Sequence, residues 1–537
     1  MKSTRSWRAF AFPLIVVLVL TPWLLTQFPS VAQGQAGAQV VAGNSATMAA
    51  GTRYTPAFSA SPQAPSAAQL AASEAQMQLS ERAWASRPGP SSPAAVSGPT
   101  PGTDTAASRA MAPNTFTLFR NSLVNGAPSG YKSNVNEPAV AQSGKFVWFT
   151  HNWYAARSTS GGASGTFAYV SPYADFASFC CDQDTIYDKA RDMFIWYRQG
   201  VYGTPAGQNY IKISVSINGG ASWCTYTIQP TSVNGAWTSQ WFDYPHLAVS
   251  NNYLYWTSNM FSGAGSFLRM LMARWPLDSM AACAGFGYTY WFKTTGWSWT
   301  PVQGATTTMY VGDNSSTTTS FYIGVQPEST TTLTAYARTI PGFTFTNRDA
   351  VCTVLGGRNP CLRADQRITV GWVRDAVTGV GQIGFFWNVK AGSGFTYPYV
   401  NAATFNQSSL SYTGRPYIYS GSGAWFYAAA SPDSRGDLGV SVFFFSSSRY
   451  PDWYVGIDDD YNAAPPGWEV AYVATSSGAP GANVWGDYVR VRPFNPPGTL
   501  WVATGFTSTG SSNNTTPRLV FFGRGRDLRS FSYWNNK

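Results

Sequence analysis

The sequence predicts an all-β protein whose ordered part is a β-propeller, and composition and a recurring strand pattern are the observations behind this prediction. Charged residues make up 11% of the 537 residues, and aromatic residues make up 16%. Such a composition supports a large core and excludes disorder for most of the chain. Abundant Gly, Ser and Thr beside the aromatic residues favour strands joined by tight turns over helices.

From about residue 114 onward, a polar or turn-forming anchor is followed repeatedly by a short aromatic strand. Strands such as Phe146–Phe149 and Tyr253–Trp256 are apolar throughout, so each must be covered on both faces. Short sheets packed face to face around an axis meet that need, and a two-domain β-sandwich is the alternative. The pattern predicts seven blades, with six or eight as alternatives, and a strand over Thr115–Phe119 that closes the ring. The anchors lie near residues 138, 183, 245, 301, 366, 416 and 487.

The N-terminus reads as an export signal over residues 1–32. Lys2, Arg5 and Arg8 precede an apolar run from Ala9 to Leu25, and small residues follow that suit cleavage. An uncleaved membrane anchor is the alternative, and it is the one route by which the chain would contact a membrane. The sequence therefore predicts a secreted or cell-surface protein.

The segment from 33 to 113 is dominated by Ala, Ser, Pro, Gly and Gln. Few of its residues can bury apolar surface, so we expect a disordered linker or stalk ahead of a propeller domain over 114–537. A stretch of helix-forming residues over Ala67–Arg87 is a candidate for a short helix within it.

The net charge of +10 is spread along the whole chain. Without a concentrated basic stripe, nucleic acid is not an expected partner. Arg490 and Arg492 share one face of a predicted strand, where a solvated outer strand is favoured over contact with an anionic polymer.

The segment from Ser216 to Trp223 reads Ser-Ile-Asn-Gly-Gly-Ala-Ser-Trp and resembles the Asp-box of sialidase-like propellers, with Asn218 where Asp is usual. The openings Asn136–Pro138, Asp243–Pro245 and Trp485–Tyr488 are similar to those of exported sialidase-like repeat proteins. The resemblance implies a degenerate member of the sialidase-like (BNR/Asp-box repeat) β-propeller superfamily. The structural turn residues that it implies are Ser216, Asn218, Gly220, Ser222 and Trp223.

The catalytic residues of sialidases do not carry over. The chain lacks an early Arg-Ile-Pro, and Glu137, Glu328 and Glu469 are the only glutamates after residue 113. Neither a Tyr/Glu pair nor an arginine triad can be assigned from the sequence, so true sialidase activity is disfavoured.

The ring of anchors is the candidate site, because the innermost strands of a propeller begin at one mouth of its axis. Paired carboxylates there would suit acid and base chemistry on a glycosidic bond, and the catalytic candidates are Glu137, Asp182, Asp243 and Asp487. The ligand-binding candidates are Asp243, Tyr244, Arg415, Trp485, Asp487 and Tyr488, with Asp365 as a further anchor and Trp241 as a further ring for stacking on sugars. The alternative is that these residues cap the strand starts.

Three functions follow from this site. The preferred one is a carbohydrate-binding propeller whose partner is a glycan or a cell-surface polymer. The alternatives are a glycoside hydrolase and a non-catalytic scaffold for other extracellular proteins. No cofactor and no metal are expected, although Asp458–Asp460 could offer oxygen ligands to calcium; an exposed acidic loop is favoured there.

Six cysteines in an exported chain predict disulfides. Cys352 and Cys361 are close enough in sequence to clip one loop. One of the adjacent Cys180 and Cys181 is a candidate to bridge to Cys224, and the sequence leaves the connectivity open.

Overall fold

The computed structural model describes residues 38–61, 65–85, 114–124, 135–314, 317–374, 381–462, 468–510 and 515–537. The predicted export signal lies outside these ranges, as do residues 86–113 of the predicted linker. Within the described ranges, no helix is both long enough and apolar enough to span a bilayer.

The N-terminal part contributes three short strands, one helix and one longer strand ahead of the main repeat. These elements are β1 (Gln39–Ala42), β2 (Asn44–Met48), β3 (Thr52–Tyr54), α1 (Ala67–Ala85) and β4 (Phe116–Leu123).

The rest of the described chain forms consecutive groups of antiparallel strands, which we number in chain order. Group 1 comprises β5 (Ala139–Ser143), β6 (Phe146–Thr150), β7 (Ala155–Ser158) and β8 (Phe167–Val170). Group 2 comprises β9 (Phe179–Asp188), β10 (Met193–Gly200), β11 (Ile211–Ser216) and β12 (Trp223–Ile228). Group 3 comprises β13 (Gln240–Val249), β14 (Tyr253–Ser262), β15 (Phe267–Pro276) and β16 (Phe286–Lys293).

The later groups repeat this order. Group 4 comprises β17 (Thr300–Gln303), β18 (Thr308–Asp313), β19 (Ser320–Pro327) and β20 (Thr332–Thr339). Group 5 comprises β21 (Ile368–Arg374), β22 (Gln382–Val389), β23 (Tyr399–Asn406) and β24 (Tyr412–Gly414). Group 6 comprises β25 (Ala424–Pro432), β26 (Leu438–Ser446), β27 (Arg449–Asp458) and β28 (Glu469–Thr475). Group 7 comprises β29 (Val491–Pro493), β30 (Trp501–Ser508) and β31 (Thr515–Arg524), and β4 is its outer strand.

The groups form a closed ring around their first strands. Each first strand contacts the first strand of the next group, in the order β5, β9, β13, β17, β21, β25, β29 and back to β5. The contact between β17 and β21 includes parallel pairing, which joins groups 4 and 5 into one nine-stranded sheet. A ring of short sheets around common inner strands defines a β-propeller, so the predicted fold class is confirmed.

The core lies between neighbouring groups, as the doubly apolar strands predict. One cluster joins groups 1 and 2 through Trp148, Trp196 and Trp223. Other clusters join groups 2 and 3, 5 and 6, 6 and 7, and 7 and 1, and a larger one spans groups 3, 4 and 5. All eight residues of β10 are buried, which requires packing on both faces of its sheet.

The segment from 38 to 61 is ordered, unlike the disordered linker that its composition predicts. Its strands β1, β2 and β3 pair with the outer strands of groups 4, 3 and 2. Each gains a backbone ladder at an open sheet edge, so the segment needs little apolar surface of its own. Composition indicates how much apolar surface a segment can bury, but it does not indicate whether its backbone pairs with an existing sheet edge.

Helix α1 lies where the sequence predicts one. Its first turn is capped reciprocally by Ser66 and Gln69. Gln76 accepts a hydrogen bond from the backbone N–H of Tyr202, and Leu79 packs on a cluster that contains Trp241. The helix therefore rests on groups 2 and 3 beside the starts of their inner strands. Short helices α2 (Pro230–Val233), α3 (Leu277–Ala281) and α4 (Leu528–Trp534) complete the described elements, with a 3₁₀ turn at Gly525–Asp527.

Three disulfides are present, which is typical of proteins from oxidising compartments. The predicted Cys352–Cys361 bridge is confirmed. The predicted bridge to Cys224 is wrong, because Cys224 pairs with Cys283 while Cys180 and Cys181 pair with each other. Cys180 and Cys181 lie on the inner strand β9, and Cys224 lies on the far side of the same sheet, in β12.

Candidate active site at the mouth of the ring

Bulges near the starts of three inner strands shape the mouth. The pairing register of β9, β13 and β25 with the next strand shifts at Cys180–Asp182, Tyr244–Pro245 and Tyr427–Ala428. In each bulge one residue other than glycine has a positive φ: Cys181 at 52°, Tyr244 at 57° and Tyr427 at 59°. Such backbone is uncommon and is concentrated at functional sites, where bulges redirect side chains.

Glu137 lies two residues before β5 and is buried. One carboxylate oxygen accepts a hydrogen bond from the Asp487 backbone N–H at 2.9 Å, and the other accepts from Asn152 Nδ2 at 3.0 Å. Burial, followed by the nearby charge of Asp487, raises the pKa of Glu137 to about 7. This glutamate therefore joins groups 1 and 7 and stays largely protonated below neutral pH.

Asp182 lies in the β9 bulge and is partly exposed. Burial raises its pKa well above the ordinary value, and the charges of Glu137, Asp243 and Asp487 raise it further. Within the described part of the chain, its carboxyl group makes no side-chain hydrogen bond. The mouth thus presents a carboxyl group that a ligand can reach and whose raised pKa favours the protonated form.

Asp487 precedes β29 and behaves in the opposite way. Burial alone would raise its pKa, but Arg363, Arg367 and Arg348 outweigh that effect and lower it. Arg367 Nη2 lies 3.2 Å from the Asp487 carboxylate. The pKa of Asp487 is therefore shifted in the opposite direction to that of Asp182, which favours the ionised form, and Asp487 keeps 17% of its side chain exposed.

These arginines come from the long connection between β20 and β21, which also bears Asp365. Arg367 Nε contacts both Asp365 oxygens at 2.8 and 2.9 Å, and its guanidinium lies 3.7 Å from the centre of the Tyr244 ring. The Cys352–Cys361 disulfide closes the middle of this connection, whose Pro360 carbonyl accepts a hydrogen bond from Tyr427. The connection is thereby fixed against the bulge of group 6.

Asp243 occupies the start of the β13 bulge. Its carboxylate accepts a hydrogen bond from Gln199 Nε2 at 2.9 Å, and its backbone N–H donates to Ser258 Oγ. Its charge also raises the pKa of Asp182. Hence Glu137, Asp182, Asp243, Asp365 and Asp487, which the sequence predicts to gather, do lie around one mouth.

Tyrosine hydroxyls line the same region. Tyr197 and Tyr488 are buried, and within the described residues their hydroxyl groups have no hydrogen-bond partner. The same holds for the side-chain amide of Gln366. Burial raises the pKa values of both tyrosine hydroxyl groups well above their usual range. Buried polar groups of this kind call for a polar partner such as a hydroxylated ligand or water.

A second charged cluster lies along the axis next to the mouth. Asp184, two residues after Asp182, contacts Arg490 at 2.9 Å and Arg492 at 3.2 Å, and all three side chains are buried. The Leu247 N–H also donates to Asp184. The cluster therefore joins groups 2, 3 and 7, and the predicted solvated strand at Arg490 and Arg492 is wrong. The partner of Arg490 and Arg492 is Asp184 on a different sheet, and the sequence pattern does not reveal a pairing of that kind.

A small cavity of ≈ 10 Å³ adjoins this cluster, which is about the space that one water needs. It is lined by His246, Arg490, Arg492, Thr300 and Thr369 among others. Burial, with the neighbouring arginines, lowers the pKa of His246 well below its usual range. The axis is therefore nearly filled beyond the mouth.

Three sequence-based candidates lie elsewhere. Trp485 is buried between groups 6 and 7, stacked on Phe506 at 4.4 Å, and Trp241 is buried beneath α1, so neither offers a ring to a sugar. Arg415 follows β24 at the outside of group 5, where it donates to Asn401 and Tyr399. Its Arg-Pro anchor opens an outer connection, and the inner strand β25 begins nine residues later. Tyr244 and Tyr488 do face the axis, with ring centres 6.3 Å apart.

The turn that resembles an Asp-box joins β11 to β12. Ser216 Oγ accepts from the Gly220 N–H, Asn218 Oδ1 accepts from the Ser222 N–H, and Trp223 is buried in the core. It lies at the outer half of group 2, away from the mouth, so its role is structural packing.

No set of three or more potential metal ligands occurs among the described residues. In the acidic run at the end of β27, Asp458 pairs with Arg374 and Asp459 pairs with Arg524. Arginines therefore pair with two of the three aspartates in this run.

Sequence reasoning missed Arg348, Arg363, Arg367, Asn152 and the Cys180–Cys181 pair as parts of the mouth. The arginines belong to a connection of unusual length between two strands, and that length was the available signal. Asn152 acts through its hydrogen bonds to Glu137 and the disulfide acts through the bulge of β9, and the residue pattern discloses neither.

No protein-family model matches the chain, and no curated protein sequence matches it. Among solved structures it is similar to an α-L-arabinofuranosidase from Fusarium graminearum at 9% identity and a TM-score of 0.40, over 77% of this chain and 99% of that one. An α-L-arabinanase from Penicillium chrysogenum gives 10% identity and 0.39 over the same shares. A polysaccharide lyase acting as an ulvan lyase gives 8% and 0.31, over 62% and 81%. Likenesses this remote carry no argument, and the fold assignment rests on the ring of inner strands.

Proposed function

We propose that the mouth of the ring binds a carbohydrate. The observation that carries the proposal is the grouping of partly exposed carboxyl groups with buried, unpartnered hydroxyl and amide groups at one opening. Sugars present many hydroxyl groups that donate and accept, and such a lining matches them. Tyr244 and Tyr488 are buried beside these groups, where Arg367 and Arg490 cover their rings.

The charges at the mouth favour an uncharged glycan. The raised pKa values of Glu137 and Asp182 favour their neutral forms, so the three arginines face three other acids: Asp243, Asp365 and Asp487. Arg367 is already paired with two of these acids. A carboxylated sugar would have to compete with them, so the proposed ligand is a neutral oligosaccharide.

Hydrolysis of a glycosidic bond is the second candidate, and the opposite pKa directions of Asp182 and Asp487 favour it. A glycosidase needs one protonated carboxyl group to donate to the leaving oxygen and one ionised carboxylate to act as base or nucleophile. Asp182 is partly exposed and its pKa is raised, whereas Asp487 is partly exposed and its pKa is lowered. Glu137 has both oxygens engaged in hydrogen bonds, so it acts as a positioning residue that joins groups 1 and 7 beside Asp182.

The binding test is an array of neutral and acidic oligosaccharides probed with the purified protein. We expect binding to neutral members, and its loss in Asp487→Asn with folding intact by circular dichroism. The matched control is Asp192→Asn, at the β9–β10 turn at the other end of the strand that bears Asp182. Binding that survives in Asp487→Asn, or an array without any signal, would contradict a carbohydrate site at the mouth. Either result would favour a scaffold that binds extracellular proteins.

The hydrolysis test incubates each bound oligosaccharide with the protein and separates the products. We expect Asp182→Asn and Asp487→Asn each to reduce turnover by about a hundredfold or more, as loss of an acid or base does. Activity should fall as pH rises through the range in which the acid deprotonates. Binding without products would leave the chain as a carbohydrate-binding propeller.

A further inference from the structure

The disulfide between Cys180 and Cys181 lies directly beside Asp182. Three residues of β9, Cys180 to Asp182, lie between the pairs Phe179 with Gly200 and Gln183 with Arg198. They therefore oppose the single residue Gln199, so this bulge carries one residue more than those of groups 3 and 6. Asp182 owes its position in the mouth to this longer bulge.

The other two bulges are held by tyrosines. Tyr427 donates to Pro360 through its hydroxyl group and to Asn388 through its N–H. Tyr244 is covered by the Arg367 guanidinium. Cys181 has the same positive φ as these tyrosines but a small side chain, and the covalent bond to Cys180 takes the place of their contacts.

The disulfide also lies against the segment that holds Glu137. It packs with Trp153 and Val201 in one small cluster. Trp153 follows Asn152, whose side chain accepts from the Glu137 N–H and donates to its carboxylate. One apolar contact thus joins the supports of Asp182 and Glu137.

We propose that the Cys180–Cys181 disulfide is a positioning element that fixes Asp182 in the mouth, and that opening it releases Asp182. The functional part of this inference rests on the proposed carbohydrate site. A dithiol reductant would open the bond by thiol–disulfide exchange: the disulfide takes up two electrons and two protons to become two thiols, and the reductant becomes a disulfide. Backbone with a positive φ at Cys181 would then lose its covalent restraint and could return to the extended region.

The test compares Cys180→Ser/Cys181→Ser with the matched pair Cys224→Ser/Cys283→Ser, whose disulfide lies at the outer strands of groups 2 and 3. Carboxyl groups are labelled with a water-soluble carbodiimide and an amine, and the extent at Asp182 is measured by mass spectrometry. We expect labelling of Asp182 to rise several-fold in the first variant and to match wild type in the second. A merely structural disulfide would leave the labelling of Asp182 unchanged or would raise labelling throughout the protein.

A glycan-affinity measurement on the same variants separates this inference from the proposed function. Release of Asp182 with several-fold weaker glycan binding supports both, and release without any glycan binding in wild type supports the positioning role alone. Equal labelling of Asp182 in the first variant and in wild type overturns the positioning role. If the first variant fails to fold, wild type reduced with a dithiol and mapped by alkylation gives the same comparison, and unchanged Asp182 labelling there overturns it equally.

Discussion

Asp182 and Asp184 lie two residues apart on the same inner strand, yet their surroundings differ completely. Asp184 is fully buried and pairs with two arginines of group 7, Arg490 and Arg492. Asp182 is partly exposed and lies among other acids, and burial together with the charges of those acids raises its pKa. Asp184 joins the groups of the ring. Asp182 lies where burial and neighbouring acids disfavour its charged form, and a contribution to stability does not explain that placement.

The comparison teaches where to look for chemistry in a fold with many acidic anchors. Buried carboxylates that are fully paired serve structure, whereas acids whose pKa values are driven apart at an opening are candidates for function. Axial position by itself does not distinguish the two.

Replacement of the structural acid should have the largest effect. Asp184→Asn leaves two buried guanidinium groups without their carboxylate, and breaking such a cluster costs about 3–5 kcal/mol. We expect the free energy of unfolding, measured in denaturant, to fall by that amount. Asp182→Asn is the matched control and should be neutral or stabilising, since it removes an acid from among acids. Equal losses in both variants would contradict the distinction.

Glu137 gives a prediction on pH. Its pKa in the folded state is about 7, above the 4.5 of an ordinary glutamate. Between these values the unfolded chain releases the proton while the folded protein retains it, so stability falls as pH rises. Relative to Glu137→Gln, wild type should lose on the order of 3 kcal/mol between pH 4.5 and 8. Unfolding curves at several pH values check this, and parallel curves for the two proteins would refute the raised pKa.

Trp485 tests the boundary between the mouth and the core. Because it packs on Phe443, Phe445 and Phe506, Trp485→Phe should reduce stability by about 1–3 kcal/mol through lost packing. Ligand affinity measured by calorimetry on an identified glycan should stay at the wild-type value. A selective loss of affinity would return Trp485 to the ligand site.

Arg415 should give the smallest effect. Its ring and hydrogen-bond contacts lie within group 5, so Arg415→Ala should cost roughly 1 kcal/mol or less in thermal or denaturant unfolding. Binding at the mouth should not change. A change there would mean that the outer connection of group 5 communicates with the axis.

The sequence predicts the ring and the gathering of five acids at one opening because turn anchors before aromatic strands are local signals. Arg415 shows the limit of the same logic: its Arg-Pro anchor looks like the others but opens an outer connection. Trp485 has an aromatic side chain in the right segment, but the direction of that side chain is set by packing between two groups. The bulges that turn Tyr244 and Asp182 toward the axis arise from pairing registers that no local pattern specifies.

Pairings between distant segments also escape the sequence. Arg490 and Arg492 meet Asp184 across more than 300 positions, and a strand pattern alone cannot reveal such a partner. The strands β1, β2 and β3 likewise depend on backbone edges offered by other groups, which composition does not record.

The closing of group 7 by β4 sets an order of events during synthesis. Asn121 of β4 is separated by 397 positions from Arg518 of β31, with which its strand pairs. The early strand, with its aromatic side chains, must therefore wait unpaired while almost the whole chain is made. Contacts so distant in sequence form slowly, because a long loop must close first. Nascent chains that stop short of β31 would leave the ring open beside group 1, so the last few dozen residues to emerge from the ribosome decide whether the molecule closes.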